Sequence, residues 1–263
     1  MLDDSQVDTF NRLGAIKVNS LLPDFVVTPL YHKIREQMIH TGALVDDHWT
    51  REDRDRWQTA RIKKIREPLK KSKALMDIVT PKVLATVNKL VPGAAEVPEF
   101  KPQLLLTPPN SDDWVLPRDV WHIDLARSGN KDTPGVQMFA CIDYIEPSGG
   151  GTLIAGGSHH FVNDAGYVRS KQLKKRLKRY SYFNKLFNGE ADAKSYMAPQ
   201  EVDGVTCEIL ELTGAPGDVW FTDLRMLHTL SFNITERPRL AVTQRFFTKD
   251  SIELMELHSQ QHH

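Results

Sequence analysis

The feature that most constrains the fold is a change in the spacing of apolar residues near residue 92. From about residue 28 to residue 90, apolar residues recur at three- and four-residue spacings among Lys, Arg, Asp and Glu, a pattern typical of amphipathic helices. After Pro92 and Gly93, short runs of Val, Ile, Leu, Phe and Thr alternate with Gly, Pro, Asn and Asp, a pattern typical of strands and turns. The sequence therefore predicts a helical N-terminal part, about 1–95, before a β-rich part, about 100–250.

Six runs in the second part are predicted strands: 103–107, 137–142, 152–155, 208–212, 219–222 and 240–248. A further strand is predicted at 14–18, with a turn at Pro23 and Asp24. Short strands at close and irregular spacing favour a sandwich or barrel over alternating β-α-β units. We expect a single domain that spans residues 1–263.

Composition excludes several classes of protein. Lys and Arg number 34, as do Asp and Glu, so the formal charge is zero and there is no overall basic footprint for nucleic acid. Two cysteines are too few for a disulfide scaffold. We see neither a secretory signal nor an apolar run of the ~20 residues that a membrane helix needs. We therefore expect a cytoplasmic protein with no nucleic-acid or membrane partner, in an oligomeric state that the sequence leaves open.

A basic segment near 165–190 interrupts the predicted strands and reads as a helical insert. Its apolar residues recur on one helical face, at Leu173, Leu177, Tyr180 and Phe187. The opposite face carries Lys and Arg, including Lys174, Lys175 and Lys178. Either this face is merely solvated, or it docks an anionic group of a substrate.

His122 and Asp124 are two residues apart, so on extended backbone their side chains point to the same side. Both groups can then reach one metal ion. A His-x-Asp pair by itself carries little weight, because roughly one is expected by chance in a chain of this composition.

Stronger evidence for a metal site comes from residues about a hundred positions downstream. A Gly217-Asp218 turn and an apolar strand lead to His228, and Arg239 follows eleven residues later. Two imidazoles and one carboxylate form the open ligand set of non-haem Fe(II) oxygenases. An arginine on an adjacent strand can bind a carboxylate through charge-assisted hydrogen bonds.

Taken in order, these pieces resemble the phytanoyl-CoA dioxygenase family of Fe(II)- and 2-oxoglutarate-dependent oxygenases. The family has H-x-D, a strand, a Gly-rich turn, and then Gly-Asp, a strand, His, and Arg eleven residues on. The corresponding segments here read WHID, QMFACIDYI, GGTLIAGGSHH, GDVWFTDLRMLH and NITERPRLAV. The resemblance covers about residues 103–247.

The resemblance implies a mainly β fold with flanking helices, a double-stranded β-helix (jelly roll) like that of the cupins. It implies His122, Asp124 and His228 as iron ligands and Arg239 as the residue that holds the distal carboxylate of 2-oxoglutarate. Phe139 and Gln137 are expected beside this cosubstrate. The implied reaction uses O₂ to oxidise, and most often hydroxylate, a C–H bond of a small-molecule metabolite, with release of succinate and CO₂.

Three positions depart from the family pattern, and none removes a ligand. Gly156 replaces the proline of the Pro-Gly-Ser-His turn, which we expect to loosen the backbone there. Thr107 stands where many members have lysine, and Leu230 where a small hydroxyl residue is common. Asp124 is retained, whereas related halogenases replace it, so halogenation is disfavoured.

Several alternatives remain open. Arg237 shares a strand face with Arg239 and competes with it for the cosubstrate. His159 and His160 lie in the Gly-rich turn, where we expect a structural role. A non-catalytic jelly-roll binding domain, and a cupin-like metalloenzyme that does not use 2-oxoglutarate, are the alternative functions.

Overall fold

The computed structural model describes residues 2–50, 57–94, 101–118, 120–124, 133–162 and 170–253. Two antiparallel sheets with flanking helices form a double-stranded β-helix, as the resemblance implied. Over these residues, no helix combines the length and the apolar character needed to cross a membrane. The single-domain organisation and the cytoplasmic location stay predictions, and the oligomeric state stays open.

The helices, in chain order, are α1 (Asp4–Leu13), α2 (Asp24–His40), α3 (Trp57–Arg66), α4 (Lys73–Met76), α5 (Pro81–Leu90), α6 (Ser170–Leu177), α7 (Ser181–Asn188) and α8 (Ala193–Tyr196). The strands are β1 (Ala15–Val18), β2 (Leu44–Val45), β3 (His48–Trp49), β4 (Gln103–Thr107), β5 (Gly135–Cys141), β6 (Thr152–Gly156), β7 (Gln200–Val202), β8 (Val205–Glu211), β9 (Val219–Asp223), β10 (His228–Leu230) and β11 (Arg239–Phe247).

The larger sheet has five strands in the order β1-β9-β5-β11-β4. All seven residues of β5 are buried, because helices cover one face of this sheet and the second sheet covers the other. Side chains alternate along the strand. Val136, Met138 and Ala140 pack against the helices, whereas Phe139 packs between the two sheets.

The N-terminal helices form the layer behind this sheet. Leu30 and Ile34 of α2 are fully buried four residues apart, and Val83 and Val87 of α5 repeat this spacing. These pairs lie on one face of each helix, which explains why an otherwise charged segment folds against the sheet.

The smaller sheet has four strands in the order β10-β6-β8-β7. The basic insert covers its outer face, where Leu173, Leu177 and Phe187 are buried as predicted. The insert is two helices, α6 and α7, and not one, because Tyr180 adopts an extended conformation (φ −93°, ψ 128°) between them. The resulting bend turns Phe183 into the same apolar cluster.

Comparison with the predicted elements gives both agreement and corrections. All seven predicted strands are present, with ends that differ by up to three residues. The turn expected at Pro23 and Asp24 is instead the start of α2, since Pro23 is its extended N-cap and Asp24 favours a helix N-terminus. Four short strands and two helices were not predicted: β2, β3, β7, β10, α1 and α8.

Candidate metal centre and cosubstrate pocket

Three predicted ligands, His122, Asp124 and His228, converge at one end of the space between the sheets. Each offers a ligand atom, and these atoms lie within 4.8 Å of one another. The Nε2 atoms of His122 and His228 lie 3.6 and 3.7 Å from the carboxylate oxygens of Asp124. Within the described ranges, this is the one group of three such side chains close enough to share a metal ion.

The backbone brings the two histidines together although 106 positions separate them in sequence. His122 forms an antiparallel bridge with His228 at the start of β10. The two residues exchange both backbone hydrogen bonds, at 2.9 and 2.8 Å. Their rings lie side by side, with centroids 4.3 Å apart.

Each imidazole is also fixed in orientation by a carbonyl group. Nδ1 of His122 lies 2.9 Å from the Val120 carbonyl oxygen, and Nδ1 of His228 lies 3.0 Å from that of Met226. A carbonyl oxygen only accepts hydrogen bonds, so Nδ1 carries the proton and the Nε2 lone pair is free to bind a metal. Burial lowers the pKa of His228, which keeps that ring neutral.

Asp124 is held through one of its two oxygens. Its Oδ2 accepts hydrogen bonds from Nε2 of Gln137 at 2.9 Å and from Nε and Nη2 of Arg245 at 2.9 and 2.5 Å. Burial acts to raise the pKa of Asp124, but the positive charge of Arg245 and these hydrogen bonds act to lower it, and the pKa stays below its usual value. The carboxylate is therefore ionised, and Oδ1 makes none of these bonds.

Arg245 was not predicted as a site residue. Its only signal in the sequence is an even separation of six residues from Arg239, which places both on one face of β11. Gln137 was predicted beside the cosubstrate, and its amide bonds Asp124 and the Thr243 hydroxyl, at 3.1 Å. Its contact with a cosubstrate stays a prediction.

Phe139 and Arg239 lie on the interior face of the larger sheet. The Phe139 ring meets the His228 ring edge to face, with centroids 6.4 Å apart. Arg239 begins β11, is 2% exposed, and reaches across to β6, where Nη2 donates to the Thr152 hydroxyl at 2.8 Å. Thr152 lies two residues along β6 from Ile154, the partner of His228 in register, which is ~7 Å along a strand.

The Arg239 guanidinium has unused donors. Its Nε and Nη1 atoms are buried and lack a hydrogen-bond partner. Burial lowers the pKa of Arg239 to about 10, against the opposing charge of Glu211. Buried polar groups are normally paired, so these donors indicate a place for an anionic ligand.

The competing arginine and the turn histidines have other contacts. Arg237 lies at the surface and pairs with Asp143, Nη2 to Oδ2 at 2.9 Å. His159 and His160 place Nε2 at 3.1 and 3.0 Å from backbone carbonyls near the end of α1, so they tie that helix to the sheet.

The three departures from the family pattern leave the predicted ligands in place. A Cβ atom on Gly156 would lie 2.5 Å from the Leu13 side chain, so glycine permits close packing of α1 on β6, where we had expected a looser backbone. Thr107 is buried and opposite Arg239 in register, and Leu230 is exposed.

Neither a search of protein-family models nor a search of curated proteins finds a match. Solved structures do match. One is the non-haem α-ketoglutarate-dependent carbocyclase SnoK from nogalamycin biosynthesis, 14% identical, with a TM-score of 0.59 over 94% of this chain and 84% of that chain. The chain has the fold of these enzymes.

Two further matches have the same fold. AviO1 from Streptomyces viridochromogenes Tue57 is 17% identical, with a TM-score of 0.58 over 95% of this chain and 96% of that chain. The epimerase SnoN, in complex with Fe³⁺, α-ketoglutarate and nogalamycin RO, is 16% identical, with a TM-score of 0.53 over 93% and 83%. At such identities, the likeness establishes the fold, and the chemistry is argued from the site.

Proposed function

We propose that this protein is a non-haem Fe(II)- and 2-oxoglutarate-dependent oxygenase of the phytanoyl-CoA dioxygenase type that acts on a small molecule. One observation carries the proposal. Two imidazoles, each oriented by a backbone carbonyl, and an ionised carboxylate lie close enough to bind one metal ion, and a buried guanidinium with unused donors lies on the interior face of the same sheet as the carboxylate's partners. A structural metal site has no need for this arginine.

The donor set suits the proposed groups. His122, Asp124 and His228 would hold Fe(II), since two neutral imidazoles and one carboxylate bind this ion and leave coordination positions open. Arg239 would bind the distal carboxylate of 2-oxoglutarate through charge-assisted hydrogen bonds. The unpaired Nε and Nη1 atoms then gain partners.

When bound, iron and 2-oxoglutarate supply the oxidative activation of O₂, with release of succinate and CO₂. The protein's own part is to orient and to exclude water. Arg245 and Gln137 keep Asp124 ionised and fix its carboxylate. Phe139, Ile154 and neighbouring apolar side chains form a buried cluster beside the histidines, which limits access of bulk water to the reacting groups.

Hydroxylation of an unactivated C–H bond is the proposed outcome. SnoK is described as a carbocyclase and SnoN as an epimerase, so products must be analysed for ring closure and inversion as well as for an added oxygen atom. A natural-product-like small molecule is the proposed substrate class.

The test is to incubate the purified protein with Fe(II), ascorbate, 2-oxoglutarate and O₂ and to measure succinate. We expect succinate release that requires Fe(II), that is absent in Asp124→Ala, and that persists in Arg237→Met. Substrate-stimulated O₂ consumption over a metabolite library then identifies the substrate. Binding of 2-oxoglutarate without succinate would favour the non-catalytic domain, and metal-dependent turnover without 2-oxoglutarate would favour a cupin-like enzyme.

A further inference from the structure

A cavity lies at the free edge of the larger sheet, beside β4. Its volume is about 420 Å³, and it lies between β4 and the segment that ends α3 and begins α4. Three cationic side chains line it: Arg66, Lys70 and Lys101. Its remaining walls include Leu75 and Leu105, so it combines positive charge with apolar surface.

The charges in this cavity are not balanced. Nε of Arg66 is buried and has no hydrogen-bond partner, and burial lowers the pKa of Arg66. Lys70 pairs with Glu67, Nζ to Oε1 at 2.6 Å. Among the ion pairs of the described residues, none includes Arg66 or Lys101. A partly desolvated cation without a counter-ion is unfavourable, and an anionic ligand would remove this cost.

The strand register places one wall of this cavity two strands away from Phe139, the residue that meets the His228 ring. Gln103, at the cavity wall, lies opposite Thr243 of β11, which in turn lies opposite Phe139 of β5. Strands are spaced ~4.8 Å apart, so Gln103 lies ~10 Å from Phe139. The Thr243 hydroxyl accepts a hydrogen bond from the same Gln137 amide that bonds Asp124.

Two further contacts connect the cavity with the cosubstrate pocket. Leu105 packs against the apolar cluster that contains Phe139 and Ile154. The charge of Arg66 acts to lower the pKa of Arg239, so the two guanidinium groups are near enough to repel each other. Two separate anions, one for each arginine, would relieve this repulsion.

We propose that Arg66 and Lys101 bind an anionic group, a carboxylate or phosphate, of the substrate whose oxidisable carbon lies at the metal centre. The substrate is then a partly apolar acid, whose body lies along Leu105 and Gln103 towards Phe139. The planar guanidinium of Arg66 recognises the anion through paired donors, and Lys101 contributes a second positive charge. This inference rests on the proposed function, since it names the substrate class of that site.

The probes are 4-phenylbutyrate, its neutral amide 4-phenylbutanamide, and inorganic phosphate, each titrated calorimetrically into the Zn(II)-loaded protein. Saturating 2-oxoglutarate occupies Arg239 throughout. We expect the acid to bind at least about tenfold more tightly than the amide, because a hydrogen bond to a charged group contributes about 1.5–3 kcal/mol. Arg66→Met should remove most of this preference, Arg66→Lys should restore part of it, and Lys101→Met should weaken it.

The matched control is Lys64→Met, which removes an exposed cation from the same helix as Arg66 and should bind the acid as the unmodified protein does. Equal binding of the acid by Arg66→Met and the unmodified protein would overturn the inference. So would acid binding that is seen only when 2-oxoglutarate is left out and that is lost in Arg239→Met, which would place the acid in the cosubstrate pocket. Inorganic phosphate that binds as tightly as the acid would indicate a free-anion site and overturn the substrate assignment.

The two proposals fail in distinguishable ways. Succinate release by the unmodified protein, with acid binding that does not depend on Arg66, would overturn the substrate class and leave the oxygenase proposal intact. Acid binding that depends on Arg66, in a protein that releases no succinate from 2-oxoglutarate, would support the anion cavity and overturn the oxygenase.

Discussion

Arg239→Met is expected to damage cosubstrate binding without destabilising the fold. Arg239 is 2% exposed, and its Nε and Nη1 atoms are unpaired. If two of its donors bind the distal carboxylate of 2-oxoglutarate, each charge-assisted bond contributes about 1.5–3 kcal/mol. Loss of about 3–6 kcal/mol corresponds to a dissociation constant roughly 10²- to 10⁴-fold higher.

Arg239→Met lowers the affinity for 2-oxoglutarate, but it is not expected to lower the free energy of unfolding. Burial lowers the pKa of Arg239 from its usual 12.5 to about 10, and at about 1.36 kcal/mol per pH unit this is a cost of roughly 3 kcal/mol for keeping the cation folded. The group is charged in both states well below pH 10, so the cost applies at neutral pH. The substitution also removes the bond to Thr152 and the attraction to Glu211. We therefore expect the free energy of unfolding to stay unchanged or to rise by about 1–2 kcal/mol.

The affinity is measured by calorimetric titration of 2-oxoglutarate into anaerobic, Zn(II)-loaded protein, and the stability by urea unfolding of the metal-free protein. Arg237→Met is the control. Arg237 is 57% exposed and pairs with Asp143, so its loss should change affinity by less than about twofold and stability by no more than about 1 kcal/mol. Unchanged 2-oxoglutarate affinity in Arg239→Met would refute the reasoning, and a loss confined to Arg237→Met would assign the cosubstrate to Arg237.

The remaining predictions concern the metal and the turn after β6. Asp124→Ala should weaken Co(II) binding by at least about 100-fold, because a carboxylate ligand is lost. Binding is followed by the visible absorption of Co(II). Wild-type affinity in this variant would exclude Asp124 as a ligand. Chelation of the metal should lower the unfolding free energy of the unmodified protein by about 2.7 kcal/mol, relative to metal at 100 times its dissociation constant. At the same metal concentration, chelation should lower that of Asp124→Ala by no more than about 0.4 kcal/mol. Gly157→Ala should cost more than about 2 kcal/mol in urea unfolding, since φ is +79° and a Cβ would lie 2.3 Å from the Thr206 carbonyl oxygen. Gly204→Ala, at φ +78° with nothing within 4 Å, should cost only about 1 kcal/mol, and equal losses would contradict a steric cause.

Prediction from the sequence succeeded where the pattern was local and strong. The run 103–107 was predicted with both ends correct, because an uninterrupted apolar segment ends at two prolines. It failed where a short element depends on its partner. The strand β10 has three residues, His228–Leu230, and is a strand because it pairs with β6. The break at Tyr180 was likewise missed, since the apolar spacing continues through it.

For the candidate site, too, part was predicted from the sequence and part was visible only in the structure. The spacing of His122, Asp124 and His228 identified three groups that the structure brings within 4.8 Å of one another, although their roles as ligands, and that of Arg239 towards the cosubstrate, stay predictions. The choice between Arg237 and Arg239 rested on family spacing, whereas the structure separates them by environment, one at the surface beside Asp143 and one buried.

The sequence by itself determined the kinds of element, their order, and the residue types available for metal and carboxylate binding, because periodicity and motif spacing are properties of the chain alone. Only the tertiary structure decided which of these groups meet. Arg245 bonds Asp124 across 121 positions of sequence, and Arg66 of α3 lines the same cavity as Gln103 of β4. Such contacts depend on register and burial, which arise only when distant segments pair and exclude water.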